Sequence, residues 1–232
     1  MEFKRQEHRT IAEALSLLDR DLFLDSQCWF AGGTAIVMLL GEYRLSLDVD
    51  FLCADADGYR RLRGAAVEKG LPAFFGPPVS PIREFRADQY GIRTVFGING
   101  QQIRFEIVRE ARIHLAGALH AGLNVPVLAV EDMFTEKLLA NADRCQDRAV
   151  AYRDAFDLGM LLGAYGAFPD ASVVKAEQAY GADIGRKMLW VTGKLADAAE
   201  LRRAAEVLQM DPELAIAAID RLRAEAARLW QI

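Results

Sequence analysis

Apolar positions recur along this chain in two periods, and the way those periods are distributed changes near residue 130. In residues 4 to 24, Ile11, Ala14, Leu15, Leu18 and Leu22 fall at spacings of three and four, which predicts an amphipathic helix with a charged outer face. Asp25 to Ala31 follows as a short apolar link carrying Cys28, Trp29 and Phe30. Gly32 and Gly33 break it, Thr34 is placed to cap a helix over Ala35 to Leu40, and Gly41 ends that helix. From Arg44 to Leu52 the period becomes two. That predicts a strand with Leu45, Leu47, Val49 and Phe51 on one face and Ser46, Asp48 and Asp50 on the other. A helix is expected at about 58 to 69, and no regular structure in LPAFFGPPVSP. GIRTVFGI and QQIRFEIV then flank Asn99 and Gly100, the pattern of a tight hairpin. In its second strand Ile103, Phe105 and Ile107 take the core face, leaving Arg104 and Glu106 opposite.

Beyond residue 130 the period is helical throughout. EDMFTEKLLANA and RAVAYRDAFDLGMLLGAYG predict two amphipathic helices, with more at about 170 to 180, 184 to 208 and 212 to 230. Asp211 and Pro212 suit the cap and first turn of the last one. The expected fold class is α+β, with strands and helices mixed over residues 1–130 and an all-helical lobe over 131–232. These are expected to be lobes serving one chemistry rather than independent domains.

Composition narrows the setting. A chain of 232 residues with 52% hydrophobic content supports a substantial core. The 3 cysteines, Cys28, Cys53 and Cys145, suit neither a disulfide framework nor a zinc site, so a reducing cytoplasmic compartment is expected. MEFKRQEHRT has no apolar signal core, and no apolar run approaches the roughly 20 residues of a membrane span, which predicts no membrane association. A net charge of -5 argues against a broadly basic surface, though a local arginine patch can still hold a phosphate backbone. His8 is expected on the polar face of the first helix, and His114 and His120 in or near a helix after the hairpin, all without metal-ligand spacing. Trp29, Trp190 and Trp230 read as packing residues.

The candidate chemistry lies between Gly32 and Asp50. A Gly-Gly turn lets backbone approach phosphate closely, and the helix after it offers unpaired N–H groups and a favourable dipole. Asp48 and Asp50, one strand residue apart, project side by side and can share hard cations such as Mg2+ that also bind triphosphate oxygens. Glu106 is a candidate third carboxylate, to complete a metal site or take a proton from an attacking hydroxyl. Each element alone has a bland alternative: a loop before a capped helix, alternating acids on a surface strand, an exposed Glu neutralised by Arg104. Asp-x-Asp also occurs in glycosyltransferases. The short segment Ala35 to Leu47, enough for one helix and a turn, brings the two halves together and favours metal-dependent handling of a nucleoside triphosphate. CADADG does not make a calcium loop, because Cys53 and Gly64 would occupy ligand places.

The stretch GGTAIVMLLGEYRLSLDVDFL resembles the first motif of the AbiEii-type nucleotidyltransferase toxins, members of the polymerase-β-like superfamily in which Gly-Gly-Thr/Ser precedes Asp-x-Asp. EKLLANADRCQDRAVAYRDAFDL resembles that family's helical motif, a Lys followed downstream by Arg-Asp-x-x-Asp. The likeness covers about Gly32 to Leu158. It implies a nucleotidyltransferase-like mixed β-sheet flanked by helices, with the helical lobe completing the nucleotide site. It further implies that Gly32, Gly33 and Thr34 hold phosphate and that Asp48 and Asp50 bind metal. Glu106 as the third acid follows from the superfamily pattern together with strand phase. Lys137, Asp154 and Asp157 would complete the nucleotide site, with Lys137 and Asp154 serving the chemistry alongside the three acids. Read physically, Asp154 and Asp157 share a helix face, Lys137 lies one helix earlier, and Arg144, Arg148 and Arg153 add positive charge. The alternative there is a solvated helix pair laced with ion pairs.

The implied reaction is Mg2+- or Mn2+-dependent transfer of a nucleotide from an NTP to an acceptor hydroxyl. The implied setting is a toxin with a cognate antitoxin, and a tRNA 3′ end is one acceptor the resemblance allows. Transfer to a small molecule of the antibiotic type, and a non-catalytic nucleotide-binding or partner-binding module, stand as alternatives.

Overall fold

In the computed structural model, which describes residues 1–230, short strands that are buried on both faces form the middle of one mixed sheet. Gln231 and Ile232, the last two positions of the expected helical lobe, lie outside the described residues. Two compact units are present: residues 1–38 with 46–129, and residues 39–45 with 130–232.

The first unit contains α1 (Gln6–Ser16), α2 (Arg20–Asp25), β1 (Cys28–Ala31), most of α3 (Gly32–Leu39), β2 (Val49–Cys53) and α4 (Ala56–Lys69). It continues with β3 (Ser80–Pro81), β4 (Arg86–Ala87), β5 (Gly91–Ile98), β6 (Gln101–Arg109), β7 (Gly117–His120) and β8 (Val125–Leu128). The strand order is β3-β5-β6-β2-β1-β8-β7, with β4 also paired to β5. The β2–β6 and β1–β8 pairs are parallel and the remaining pairs antiparallel.

One face of this sheet packs on an aromatic core. Phe51 of β2 lies 4.6 Å from Phe23 of α2 and 6.0 Å from Phe105 of β6, ring centre to ring centre, and Phe105 also meets Phe74, Phe75 and Phe96. All six rings are buried, at about 1.5–3 kcal/mol for a fully buried Phe side chain. The hairpin forms where expected: Asn99 and Gly100 both take positive φ, 50° and 77°, as a type I′ turn requires.

Several local expectations are corrected by tertiary context. The single helix over 4 to 24 is two, because Asp19 accepts a hydrogen bond from the Leu22 N–H (3.1 Å) and starts α2 afresh. The apolar link at Cys28–Ala31 is an inner strand, wholly buried; so short an apolar run has no readable period. It sets Cys28 directly opposite Cys53, a pairing invisible in linear spacing. The strand expected from Arg44 begins only at Val49. The helix expected around His114 and His120 is absent: His120 ends β7, which pairs with β8. LPAFFGPPVSP, read as irregular, contains a short 3-10 turn at Leu71–Ala73 and the two-residue β3.

The second unit holds α5 (Val130–Arg144), α6 (Arg153–Tyr165), α7 (Asp170–Tyr180), α8 (Asp183–Lys194), α9 (Ala198–Val207) and α10 (Pro212–Trp230). The Asp211 carboxylate accepts from the Leu214 N–H (3.0 Å), the expected cap of α10. The long pattern over 184 to 208 is two helices, since Asp197 caps α9 through the N–H groups of Ala199 and Glu200. The helix expected from Arg148 starts at Arg153, after a 3-10 turn and two left-handed residues, Ala151 and Tyr152. Between α6 and α10 the backbones close up: a Cβ on Gly159 would fall 2.3 Å from the Ala218 carbonyl oxygen. Among the described residues no helix is long and apolar enough to cross a membrane.

Candidate active site

The strand registers place one continuous row of residues across five strands. Ala31 of β1 pairs with Asp50 of β2, Asp50 with Glu106 of β6, Glu106 with Arg93 of β5, and Arg93 with Arg86 of β4. Directly paired residues share a sheet face, so two carboxylates and two guanidiniums lie in line on the face opposite the aromatic core. Glu106, distant from Asp50 in sequence, thereby becomes its immediate neighbour.

Gly32 follows Ala31 at the end of that row. Its φ of +73° is costly for an L side chain, and a Cβ there would lie 2.7 Å from Asp50 Oδ2. Two independent constraints therefore demand glycine at the turn from β1 into α3. The helix begins at Gly32 itself, so Thr34 sits inside the first turn rather than capping it. Its buried hydroxyl shares a 2.8 Å hydrogen bond with Ser46 Oγ. His8 is fully buried, not on a polar face, and donates from Nε2 to the Ser46 carbonyl oxygen (3.1 Å). Both contacts tie down the irregular stretch that leads to Asp48.

Asp48, Asp50, Arg93, Thr94, Arg104, Phe105 and Glu106 line a cavity of about 70 Å³. That is room for an ion with a few waters, not for a whole nucleotide. Glu106 Oε1 accepts from Arg93 Nε at 2.6 Å, so Arg93 rather than Arg104 neutralises it. Arg104 Nε lies 4.0 Å from Asp48 Oδ1. Among the described residues no three acidic, histidine or cysteine side chains are gathered into a metal cage as they stand. The donor set nonetheless fits a hard divalent cation: three carboxylates against two guanidiniums leave the cavity lining net negative, and all three offer oxygen.

The helical unit carries the other candidate residues, and there they face each other. Arg44 grips Asp157 with both arms, Nε to Oδ1 at 2.7 Å and Nη2 to Oδ2 at 2.8 Å, and Tyr43 donates its hydroxyl to Oδ1 at 2.6 Å. Lys137 Nζ bridges Asp157 Oδ2 (2.6 Å) and Asp154 Oδ1 (2.9 Å). Arg144 holds Asp154 through Nε (2.6 Å) and Nη2 (2.8 Å). Burial alone would raise both carboxyls, but Arg44 and Lys137 hold Asp157 below the usual carboxylate range, and Lys137 and Arg144 do the same for Asp154. The ion pairs weighed as an alternative exist, yet they are buried rather than solvated. Arg148 belongs to a different cluster: Arg203, Arg148 and Tyr152 surround Glu200, and their hydrogen bonds pull its carboxyl down.

Arg44, His8 and the Glu200 cluster escaped sequence reading. Arg44 stands at the head of an alternating run, where period assigns it to a strand, and nothing in linear spacing connects it to Asp157. Glu200 lies three residues after Asp197, the cap of α9, inside a stretch whose single helical period gave no sign of that cap.

Comparison with known proteins agrees with this architecture. The family model described as nucleotidyl transferase AbiEii toxin, type IV TA system, matches residues 16–229. No curated protein sequence matches. Among solved structures, a candidate nucleotidyltransferase from H. pylori is 18% identical with a TM-score of 0.56, covering 99% of this chain and 97% of its own. A nucleotidyltransferase-like antigenic protein from Paracoccidioides brasiliensis is 16% identical with a TM-score of 0.44, covering 93% and 94%. The H. pylori likeness is one of fold, a mixed sheet flanked by helices. The family match spans nearly the whole chain, from the end of α1 to the end of α10, and on that ground the chain belongs to the AbiEii nucleotidyl transferase toxin family of type IV toxin–antitoxin systems.

Proposed function

We propose that the carboxylate row is the site of nucleotidyl transfer from an NTP to an acceptor hydroxyl, with the chain acting as the toxin of a pair whose antitoxin restrains it. The observation that carries this reading is the register Asp50–Glu106 beside a glycine whose missing Cβ leaves room for the Asp50 carboxylate. Asp48, Asp50 and Glu106 would hold Mg2+ or Mn2+, which when bound neutralises charge developing on the phosphates. The backbone of Gly32 and Gly33, opening the N-terminus of α3, presents N–H groups suited to triphosphate oxygens. Thr34 acts through Ser46, holding the approach to Asp48 in place.

In the reaction the acceptor oxygen bonds to the α-phosphorus, the bond from that phosphorus to the β-phosphate's bridging oxygen breaks, and pyrophosphate leaves. Glu106, oriented by Arg93, sits where it would steer the hydroxyl or receive its proton. Lys137, Asp154 and Asp157 are assigned to nucleotide handling on the strength of the family motif; with Arg44 and Arg144 they form a buried charged network within the helical unit, in which Lys137 bridges both carboxylates. A tRNA 3′ end is the acceptor we favour.

The test is growth arrest on expression, together with label transfer from each α-labelled NTP into cell extract. Asp48→Ala and Asp50→Asn are expected to abolish both while retaining the wild-type melting profile. Undiminished transfer by both variants overturns the assignment.

A further inference from the structure

Two thiols lie against each other at the end of the β1–β2 pair, and nothing in the proposed transfer chemistry uses them. Cys28 opens β1, Cys53 closes β2, and the strand register sets them directly opposite. Both are free thiols and both are fully buried. They share the sheet face of Phe30 and Phe51, away from the carboxylate row. Cys53 Sγ donates to the Ser26 carbonyl oxygen (3.3 Å) and to that of Asp55 (3.4 Å). Burial, then the hydrogen bond with Cys53, pushes the Cys28 thiol up and keeps it protonated at neutral pH. Cys145 belongs to the helical unit.

The place of the pair makes it reachable although it is buried. Strand ends open more readily than strand centres, and this is the terminal pair of both β1 and β2. Gln27, exposed and held at φ +47°, leads into Cys28 in a left-handed conformation that an L side chain adopts at a cost. Opening there relieves that cost and admits a small oxidant. A bond between Cys28 and Cys53 would close a ring that contains Gly32, Gly33, Thr34, Asp48 and Asp50. Directly opposite Cβ atoms in antiparallel strands stand about 4.5–5.5 Å apart, whereas a disulfide holds them at about 3.8 Å. Closing it draws β1 toward β2, three residues from the point where Ala31 meets Asp50. That junction has no slack, since even a Cβ on Gly32 would lie 2.7 Å from Asp50 Oδ2.

We propose that Cys28 and Cys53 are a modification site: a hydroperoxide converts the dithiol to a disulfide, and the disulfide depresses the activity of the carboxylate row. The effect on activity rests on the transfer reading of that row; the modification itself does not. In the first step the Cys53 sulfur takes one peroxide oxygen, the O–O bond breaks, and the thiol proton leaves with the other oxygen as water, giving a sulfenic acid. In the second the Cys28 sulfur bonds to the Cys53 sulfur, the S–O bond breaks, and the Cys28 proton leaves with the hydroxyl as a second water. The thiols together lose two electrons and the peroxide gains them. Small thiol reductants return the pair to its resting dithiol.

The experiment treats the folded full chain with hydrogen peroxide, blocks the remaining thiols with N-ethylmaleimide in urea, and digests without reductant for peptide mass spectrometry. The expected product is a linked Cys28–Cys53 peptide pair, lighter than the two free-thiol peptides by two hydrogens and undone by dithiothreitol. Label transfer from an α-labelled NTP is measured on the same samples. It is expected to fall at least about fivefold on oxidation and to recover with dithiothreitol. Cys28→Ala and Cys53→Ala, each checked by thermal melting, are expected to keep transfer while losing its response to peroxide. Cys145→Ala is expected to respond as wild type does.

Linked peptides that join Cys145 to either residue, or sulfinic acid on Cys28 or Cys53 in place of the link, overturn the proposal. So does a transfer rate equal in the linked and reduced chains, or an oxidative loss that Cys28→Ala shares with wild type. Where an alanine variant fails to fold, the wild-type link and its reversal by dithiothreitol decide. A wild-type chain that forms the link but transfers no label in either state supports the modification site and removes the transfer reading instead.

Discussion

Gly32 concentrates the account at the scale of one residue. Its left-handed φ and the 2.7 Å separation that a Cβ would have from Asp50 Oδ2 are separate penalties, so Gly32→Ala must both strain the turn and displace the carboxylate. The strain is worth about 1–3 kcal/mol. We expect Gly32→Ala to lower the melting temperature modestly and to reduce label transfer at least about tenfold, because ångström-scale misplacement of a reacting group is expensive. Transfer at the wild-type rate would separate the glycine from the site. Asp157 gives the complementary prediction. Asp157→Asn leaves Arg44 and Lys137 buried without their shared carboxylate, at a cost of about 3–5 kcal/mol measured by chemical denaturation. A loss below about 1 kcal/mol contradicts the buried network. Sequence reading singles out Asp50, Glu106, Lys137, Asp154 and Asp157 through motif and strand phase, and the structure sets Asp50 beside Glu106 and Lys137 between Asp154 and Asp157. It missed Arg44 and His8 because their partners are tertiary: a guanidinium at the head of an apparent strand looks solvated until Asp157 closes on it from α6.

Elements were legible where a local signal is complete. Asn99-Gly100 supplies both positive-φ residues that a type I′ turn needs, and the hairpin forms residue for residue; Asp211-Pro212 does the same for α10. Legibility failed where burial on both faces erases the period, as in β1, or where a cap divides one apolar pattern, as Asp19 and Asp197 do. The pair β7 and β8 was lost because its strands are four residues each, too short to declare a period. The hairpin also sets one side of the site, since it fixes the β5–β6 register that puts Arg93 opposite Glu106. Gly100→Ala, forcing a methyl into a φ of +77°, is expected to cost about 1–2 kcal/mol without altering the residues of the cavity. Amide exchange along β5 and β6 should rise first in that variant; unchanged protection there would contradict a turn-determined register.

Over the whole molecule, charge is distributed unequally between the two units. The sheet unit keeps Asp48, Asp50 and Glu106 partly exposed, whereas the helical unit buries Asp154 and Asp157 among Arg44, Lys137 and Arg144. Both buried carboxyls have folded pKa values below their unfolded ones, so the stability they confer is complete above about pH 5. It is lost progressively as pH falls through the unfolded value near about 4 toward the folded ones. Acidification from about pH 6 to about pH 3 is therefore expected to destabilise α5 and α6 ahead of the sheet, seen as earlier loss of amide protection at Lys137 and Asp154 than at Phe51 and Phe105. Simultaneous loss would show that these carboxylates do not set acid stability.

The central claim is that the acids brought together by strand register perform nucleotidyl transfer, and its most direct measurement is the rate of label transfer from an α-labelled NTP as Mg2+ is titrated. Wild type is expected to rise to saturation with the metal. Asp50→Asn and Glu106→Gln, folded as judged by their melting curves, are expected to remain at least about 100-fold below it at every Mg2+ concentration. Rates for both variants that follow the wild-type curve would contradict the account.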